Sequence, residues 1–496
     1  MSSQDVITSP SCFCGDNFIE PPLVPPSQDK FYSDRPASFD SSSPGTVLRS
    51  RRVGVVKFDI LPTFGSKVQG LKCWQVAFKT LAQDGRTPQV SVALIIRPIL
   101  KKKRAPTRLS LPFWSKKKRG ESITKGDVQG KTRLKGEDYD KVVCYQSKCD
   151  SASPDCRTTY ALRKGNGGSL GALGEVVFIE PFLDRGWTVV VPDYESERDA
   201  FGAGPQAGRA VLDSLKATFN FEPLDLNRSR ARVVLFGYSG GAQASGWASC
   251  LKSAYAPELP IVGSAFGGTP VDLEAIAYKV DGGIASGLIV GVIQGLSNIY
   301  PDLQSWSDDN LTEEGKIRFK EASENCFGKV MLSNFMKVVL GSAGKAGGYF
   351  KPKNPLKMKV PKRVLSENLL GDEAQPVPDM PIYIYQSLHD EVVPFETVDK
   401  LVEKWGAKGA TIEYTRDELS AHMILAFTGT PRAMEWLEDR MKGKPNPAQP
   451  GKPLIRTVVT SLADDSSVQI LGKKRRDRLE NFMTENYVRT ERIWWT

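Results

Sequence analysis

The sequence predicts an α/β fold with a mostly parallel central sheet and helices on both faces. Three observations carry that expectation. Short continuous runs of β-branched and other apolar residues recur at 187–191, 233–236 and 260–265, the mark of strands covered on both faces. Stretches of helical length and spacing, such as 205–219, alternate with them, as parallel connections require. The run 233–236 also ends in Gly237-Tyr238-Ser239-Gly240-Gly241, followed by Ala242, Ala244, Gly246 and Ala248. That is a strand, a sharp turn and a helix whose small residues let it approach the sheet closely.

In order along the chain, residues 1–39 are rich in Ser, Pro and Asp and are expected to be poorly ordered. They show no charged start followed by an apolar core, so no signal peptide is read: either the protein works inside the cell, in the cytoplasm, or the true start lies upstream. Cys12 and Cys14 have no second cysteine pair or histidine nearby, which argues against a zinc site. Strands are expected at 53–62, 71–80 and 88–98, with Asp84-Gly85 as a hairpin turn between the last two.

Residues 101–136 form a basic insert. They hold 13 Lys and Arg against 2 acidic residues, a net of +11, while the whole chain of 496 residues carries +10. The basic balance is therefore local, and no nucleic-acid partner is expected. Such a run reads as a solvated surface loop; a bipartite nuclear signal and an anchor to acidic lipid are the other readings. A smaller cluster follows at 473–476. The apolar share of 40% and charged share of 25% are those of a soluble globular protein. No stretch of 18 apolar residues or internal repeat occurs.

A strand is expected at 141–146 and a helix at 174–185, which Pro181 should kink or end early. The strand 187–191 would deliver Pro192-Asp193-Tyr194-Glu195 to the sheet edge that carries Ser239. After 260–265 the pattern changes. Residues 271–375 combine a Gly-rich apolar helix (284–296), an acidic helix start at Leu311-Thr312-Glu313-Glu314 and a Gly-rich stretch at 341–348. A block of this size between sheet strands is a helical cap, which excludes water and shapes a pocket. Ile284, Leu288, Ile289 and Ile293 are read as its core. The core is thus expected at 40–270 and 376–445, with a C-terminal extension at 446–496.

Gly237-Tyr238-Ser239-Gly240-Gly241 fits the nucleophile elbow of an α/β-hydrolase. Ser239 must occupy a strained turn, and side chains at 237 or 241 would collide with neighbouring backbone. A serine hydroxyl also needs a base of near-neutral pKa. The chain has two histidines, His389 and His422. A strand at 381–386 leads to a loop with Asp390 and Glu391; a helix at 398–405 and a strand at 410–414 lead to His422. In this fold the order is Ser, acid, His, which selects Ser239, Asp390 and His422, with Glu391 as reserve acid. His389 precedes the acid and reads as a loop histidine. Neither histidine precedes a glycine, so an HGG-type oxyanion loop is excluded.

The chain resembles the fungal and yeast secretory lipases typified by Candida antarctica lipase A and the secreted Candida lipases. The resemblance is carried by segments starting at Pro44, Asp150, Arg185, Phe201, Gly237, Tyr255, Gly267 and Asp390, and by the loop around His422. It spans about residues 40–440 apart from the insert, where the family has only a short connection, so an unspliced intron is a further reading of that segment. It implies Ser239, Asp390 and His422 as triad, and the N–H of Gly240 with a donor at Asp193 as oxyanion hole. On the residues alone, Asp193 could equally be a turn or cap residue. The resemblance also pairs Cys156 with Cys326 in a disulfide, which sits in tension with the missing signal peptide. It implies a serine carboxylic ester hydrolase acting on small-molecule or lipid esters, with room for contact with a lipid surface and with no metal or organic cofactor. The other activity within the resemblance is a biosynthetic esterase or acyltransferase of fungal secondary metabolism, such as a deacetylase.

Overall fold

The computed structural model describes residues 19–55, 68–100, 140–163, 170–341, 347–473, 476–477 and 480–481. The basic insert 101–136, Cys12, Cys14, and residues 474–475 of the C-terminal basic cluster lie outside these.

Ten described strands form one sheet. They are β1 (Val47–Arg52), β2 (Val68–Leu81), β3 (Pro88–Leu100), β4 (Lys141–Gln146), β5 (Thr188–Pro192), β6 (Arg232–Tyr238), β7 (Ile261–Gly267), β8 (Ile382–Ser387), β9 (Ile412–Asp417) and β10 (Leu454–Val458). Their spatial order is β1-β2-β3-β5-β4-β6-β7-β8-β9-β10. Pairing is antiparallel from β1 to β5 and parallel from β5 to β10. Alternate residues of the central strands feed two cores. Val142, Cys144, Val233 and Leu235 meet helices Gly204–Asn220, Gly240–Tyr255 and Phe395–Ala407 on one face. Val143, Tyr145, Val234 and Phe236 meet helices Leu170–Asp184 and Thr430–Lys442 on the other.

Between β7 and β8 the chain builds the cap from helices Leu273–Val280, Gly287–Ser297, Pro301–Asn310, Glu313–Glu324, Phe327–Ser333 and Lys359–Glu367. The acidic helix start is capped as its sequence suggests: Thr312 Oγ accepts the N–H of Gly315 at 3.1 Å. Ile289 and Ile293 are buried and Leu288 packs against the same core. Ile284, expected there, precedes the helix and is 51% exposed. The disulfide Cys156–Cys326 joins the segment after β4 to the cap.

Several expectations are corrected. The first strand lies at Val47–Arg52, earlier than 53–62; residues 53–55 are not strand, and 56–62 are outside the described residues. Its three arginines suit a half-exposed edge strand, which an apolar-run criterion passes over. The helix expected from 174 starts at Leu170 and runs through Pro181 to Asp184. Pro181 leaves the carbonyl of Val177 without its i→i−4 donor, a loss offset by packing, since Ile179, Phe182 and Leu183 are buried on either side of it. Residues 20–39 pack rather than dangle: Tyr32 is 1% exposed and its hydroxyl accepts from Gln75 Nε2 at 2.6 Å. The C-terminal extension contributes β10 to the sheet edge.

Candidate active site

Ser239 follows β6 with φ 54° and ψ −123°, outside the region that L-residues favour. The flanking glycines make that turn passable. A Cβ on Gly237 would lie 2.2 Å from Gly241 O, and one on Gly241 would lie 2.0 Å from Gln146 O of β4. Ser239 N–H donates to Gly267 O at 3.0 Å, which pins the turn to β7. The ring of Tyr238 lies 5.2 Å from that of His422, and its hydroxyl donates to His422 O at 2.5 Å.

The ends of β6, β8 and β9 bring the three expected groups together. His422 Nε2 is 2.9 Å from Ser239 Oγ, and His422 Nδ1 is 2.7 Å from Asp390 Oδ2. Asp390 is 1% exposed and well satisfied. Its Oδ1 accepts from the N–H of Val392 and Val393 at 2.9 and 2.7 Å, and its Oδ2 from Gln386 Nε2 at 2.7 Å. Burial pushes this carboxyl up, but the charge and hydrogen bond of His422, with the two backbone donors, hold it below the usual carboxylate range. Glu391 accepts the backbone N–H of His422 at 2.7 Å instead of meeting the ring. His389 is exposed.

The two expected oxyanion donors are placed differently. Gly240 opens the helix after Ser239, where a backbone N–H has no acceptor within the helix. Asp193 has its groups committed elsewhere. Its N–H donates to Val92 O at 2.8 Å, and its carboxylate accepts from the N–H and hydroxyl of Thr159. The side chain beside Gly240 is Asp150, which the residue-level reading passed over. A Cβ on Gly240 would lie 2.0 Å from Asp150 Oδ1. Asp150 has φ 49°, is buried, and its Oδ1 has no hydrogen-bond partner among the described residues. Burial pushes its carboxyl up to about 6; the charges of Lys148 and His422 pull it down and that of Glu175 adds to the rise.

Strand order explains why Asp150, and not Asp193, lies beside Gly240. β4 pairs directly with β6, so the residues after Gln146 reach the elbow. β5 lies beyond β4, one strand further away. The signal for Asp150 was an acid four residues past a strand already recognised at 141–146. Among the described residues, no group of three His, Cys, Asp or Glu side chains is arranged to hold a metal ion.

Comparison with known proteins gives consistent likenesses. The family model described as secretory lipase matches residues 170–448. Lipase A of Arthroderma benhamiae is 31% identical over 467 residues, covering 93% of this chain and 88% of that protein. A secreted triacylglycerol lipase of Malassezia globosa is 28% identical over 429 residues, covering 85% of this chain and 83% of that one. The crystal structure of Candida antarctica lipase A in its closed state aligns with a TM-score of 0.75 at 24% identity, covering 92% of this chain and 95% of that one, and so shares the fold.

Proposed function

Because this chain belongs to the secretory lipase family, we propose that it hydrolyses the acyl esters of lipids through an acyl-enzyme on Ser239. The chain is a carboxylic ester hydrolase of the lipase and esterase class. The observation that carries the mechanism is the hydrogen-bonded series from Ser239 Oγ through His422 to Asp390, at 2.9 and 2.7 Å.

His422 Nε2 takes the proton of Ser239 Oγ as that oxygen attacks the ester carbonyl carbon. Asp390 stays ionised, holds the Nδ1–H of His422 and stabilises the imidazolium. The carbonyl oxygen becomes an oxyanion held by the Gly240 N–H and, at pH below about 6 where Asp150 keeps its proton, by the Asp150 carboxyl O–H, donors typically worth about 3 kcal/mol each in the transition state. His422 then protonates the departing alcohol. Water, deprotonated in turn by His422, attacks the acyl carbon and frees Ser239. The acyl groups of triacylglycerols are the substrate class, in keeping with the Malassezia globosa relative.

An ester series from acetyl to long-chain acyl, offered to this chain and to Ser239→Ala, tests the proposal. Rates that rise with chain length and vanish in the variant are expected. Turnover confined to acetyl esters would redirect the assignment to a biosynthetic deacetylase. Ester turnover that survives Ser239→Ala would overturn the mechanism.

A further inference from the structure

We infer that the cap carries a docking surface for an anionic lipid surface, formed by Ile284, Leu332, Phe335 and Met336 beside Lys329 and Lys337. The inference rests on the lipid-ester reading above, and adds how such an ester would be met.

The apolar side chains are conspicuous because they lie in the open. Leu332 is 78% exposed, Met336 56%, Ile284 51% and Phe335 43%. Single exposed apolar residues need no explanation, but a contiguous group marks an interaction surface. Backbone hydrogen bonds bring these residues together: Phe335 N–H donates to Leu332 O at 3.3 Å, within the turn that leads to Met336, while Met336 N–H donates to Gly283 O and Gly282 N–H to Lys337 O, each at 3.1 Å. Ile284 is therefore held next to Met336. Met336 has φ 57°, a conformation that a long side chain seldom adopts. Core packing does not explain it, since the side chain points largely into solvent. In helix Phe327–Ser333, Val330 is buried and Met331 packs on the core, while Lys329 and Leu332 are exposed.

Charge selects the partner. From Asn325 to Ser366 the chain has no Asp or Glu. Among the described residues neither Lys329 nor Lys337 has a carboxylate partner; Lys329 Nζ reaches the neutral Asn325 Oδ1 at 3.0 Å. Apolar residues beside unneutralised lysines match an anionic bilayer or emulsion surface, which takes both. Position agrees with it. Cys326, next to Phe327, is bonded to Cys156, and Asn325 O accepts from Ser151 Oγ at 3.4 Å. Ser151 follows Asp150, so the patch is tied to the segment lying against Gly240.

The test is binding of the full chain carrying Ser239→Ala, which prevents turnover, to phosphatidylcholine vesicles with and without phosphatidylserine. Tighter binding to the anionic vesicles, weakened by salt, is expected. Lys329→Gln with Lys337→Gln should weaken it about 25-fold, near fivefold per lysine. Leu332→Gln with Met336→Gln should weaken binding to both vesicle types. In the otherwise unaltered chain, all four substitutions should leave hydrolysis of a soluble short-chain ester unchanged. Equal affinity for the two vesicle types, no binding, or unaffected variants would overturn the inference. So would a dimer abolished by Leu332→Gln with Met336→Gln, which would assign the patch to a second copy of this chain. Absent hydrolysis of the soluble ester would count against the ester-hydrolase reading instead.

Discussion

Asp150→Asn and Asp150→Ala separate what a proton does from what a side chain does. The Asp150 carboxyl is buried, and burial lifts its pKa from 3.8 to about 6 despite the charges of Lys148 and His422. A rise of roughly two units corresponds to about 3 kcal/mol between the two protonation states. The folded chain holds the proton more tightly than the unfolded chain. The stability this provides is therefore fully present below the unfolded value of 3.8 and is lost as pH rises through about 6. At neutral pH the fold carries a buried carboxylate, so Asp150→Asn should raise stability there by up to about 3 kcal/mol and change little in acid. Catalysis should respond differently. Asp150→Ala removes an oxyanion donor, and kcat on a soluble ester should fall about 10²–10³-fold in mild acid, where the parent chain is protonated. That deficit should shrink as pH rises through about 6, because the parent chain loses the same donor. Asp150→Asn keeps an N–H donor throughout, so its rate relative to the parent should rise with pH. The assay is kcat and KM from mildly acid to mildly alkaline pH, with thermal unfolding in the same buffers. A folded Asp150→Ala chain within about threefold of the parent in mild acid, or a deficit independent of pH, would refute the donor role.

Three further outcomes follow from the same geometry. Asp390→Asn should lower kcat about 10⁴-fold with little change in KM, because the ring of His422 loses its charged partner. Glu391→Gln keeps an acceptor for the backbone N–H of His422 and should cost less than about tenfold in kcat; a loss matching that of Asp390→Asn would make Glu391 the acid. Cys326→Ser opens a cross-link spanning 170 residues, and loop-closure entropy puts the loss at up to about 5 kcal/mol. Its melting temperature should fall, and a reducing agent should lower that of the parent chain but not that of the variant.

The residues that declared themselves in the sequence were those under local constraint. Gly237 and Gly241 are glycines because backbone from a neighbouring segment occupies the space of a Cβ, and such a need shows in a short motif. With two histidines in the chain, the histidine proposed as base was nearly a matter of inspection. The parallel strands were legible because burial on both faces leaves a continuous apolar run. What escaped depended on the order of strands in space. Asp150 and Asp193 each follow a strand and look alike along the chain; only the pairing of β4 with β6 decides which meets Gly240. Strand β1 escaped because an edge strand with three arginines in six residues lacks the apolar run. The packing of Tyr32 escaped because its partners, Gln75 and Thr159, are far along the sequence.

The central claim is that Ser239 is the nucleophile, and covalent trapping tests it most directly. A p-nitrophenyl alkylphosphonate offered to the native chain should leave a single phosphonyl group, found by peptide mass mapping on Ser239, with ester turnover lost in step with labelling. The folded Ser239→Ala chain should take no label and turn over no ester. A label on another residue, or turnover by Ser239→Ala at the parent rate, would contradict the account.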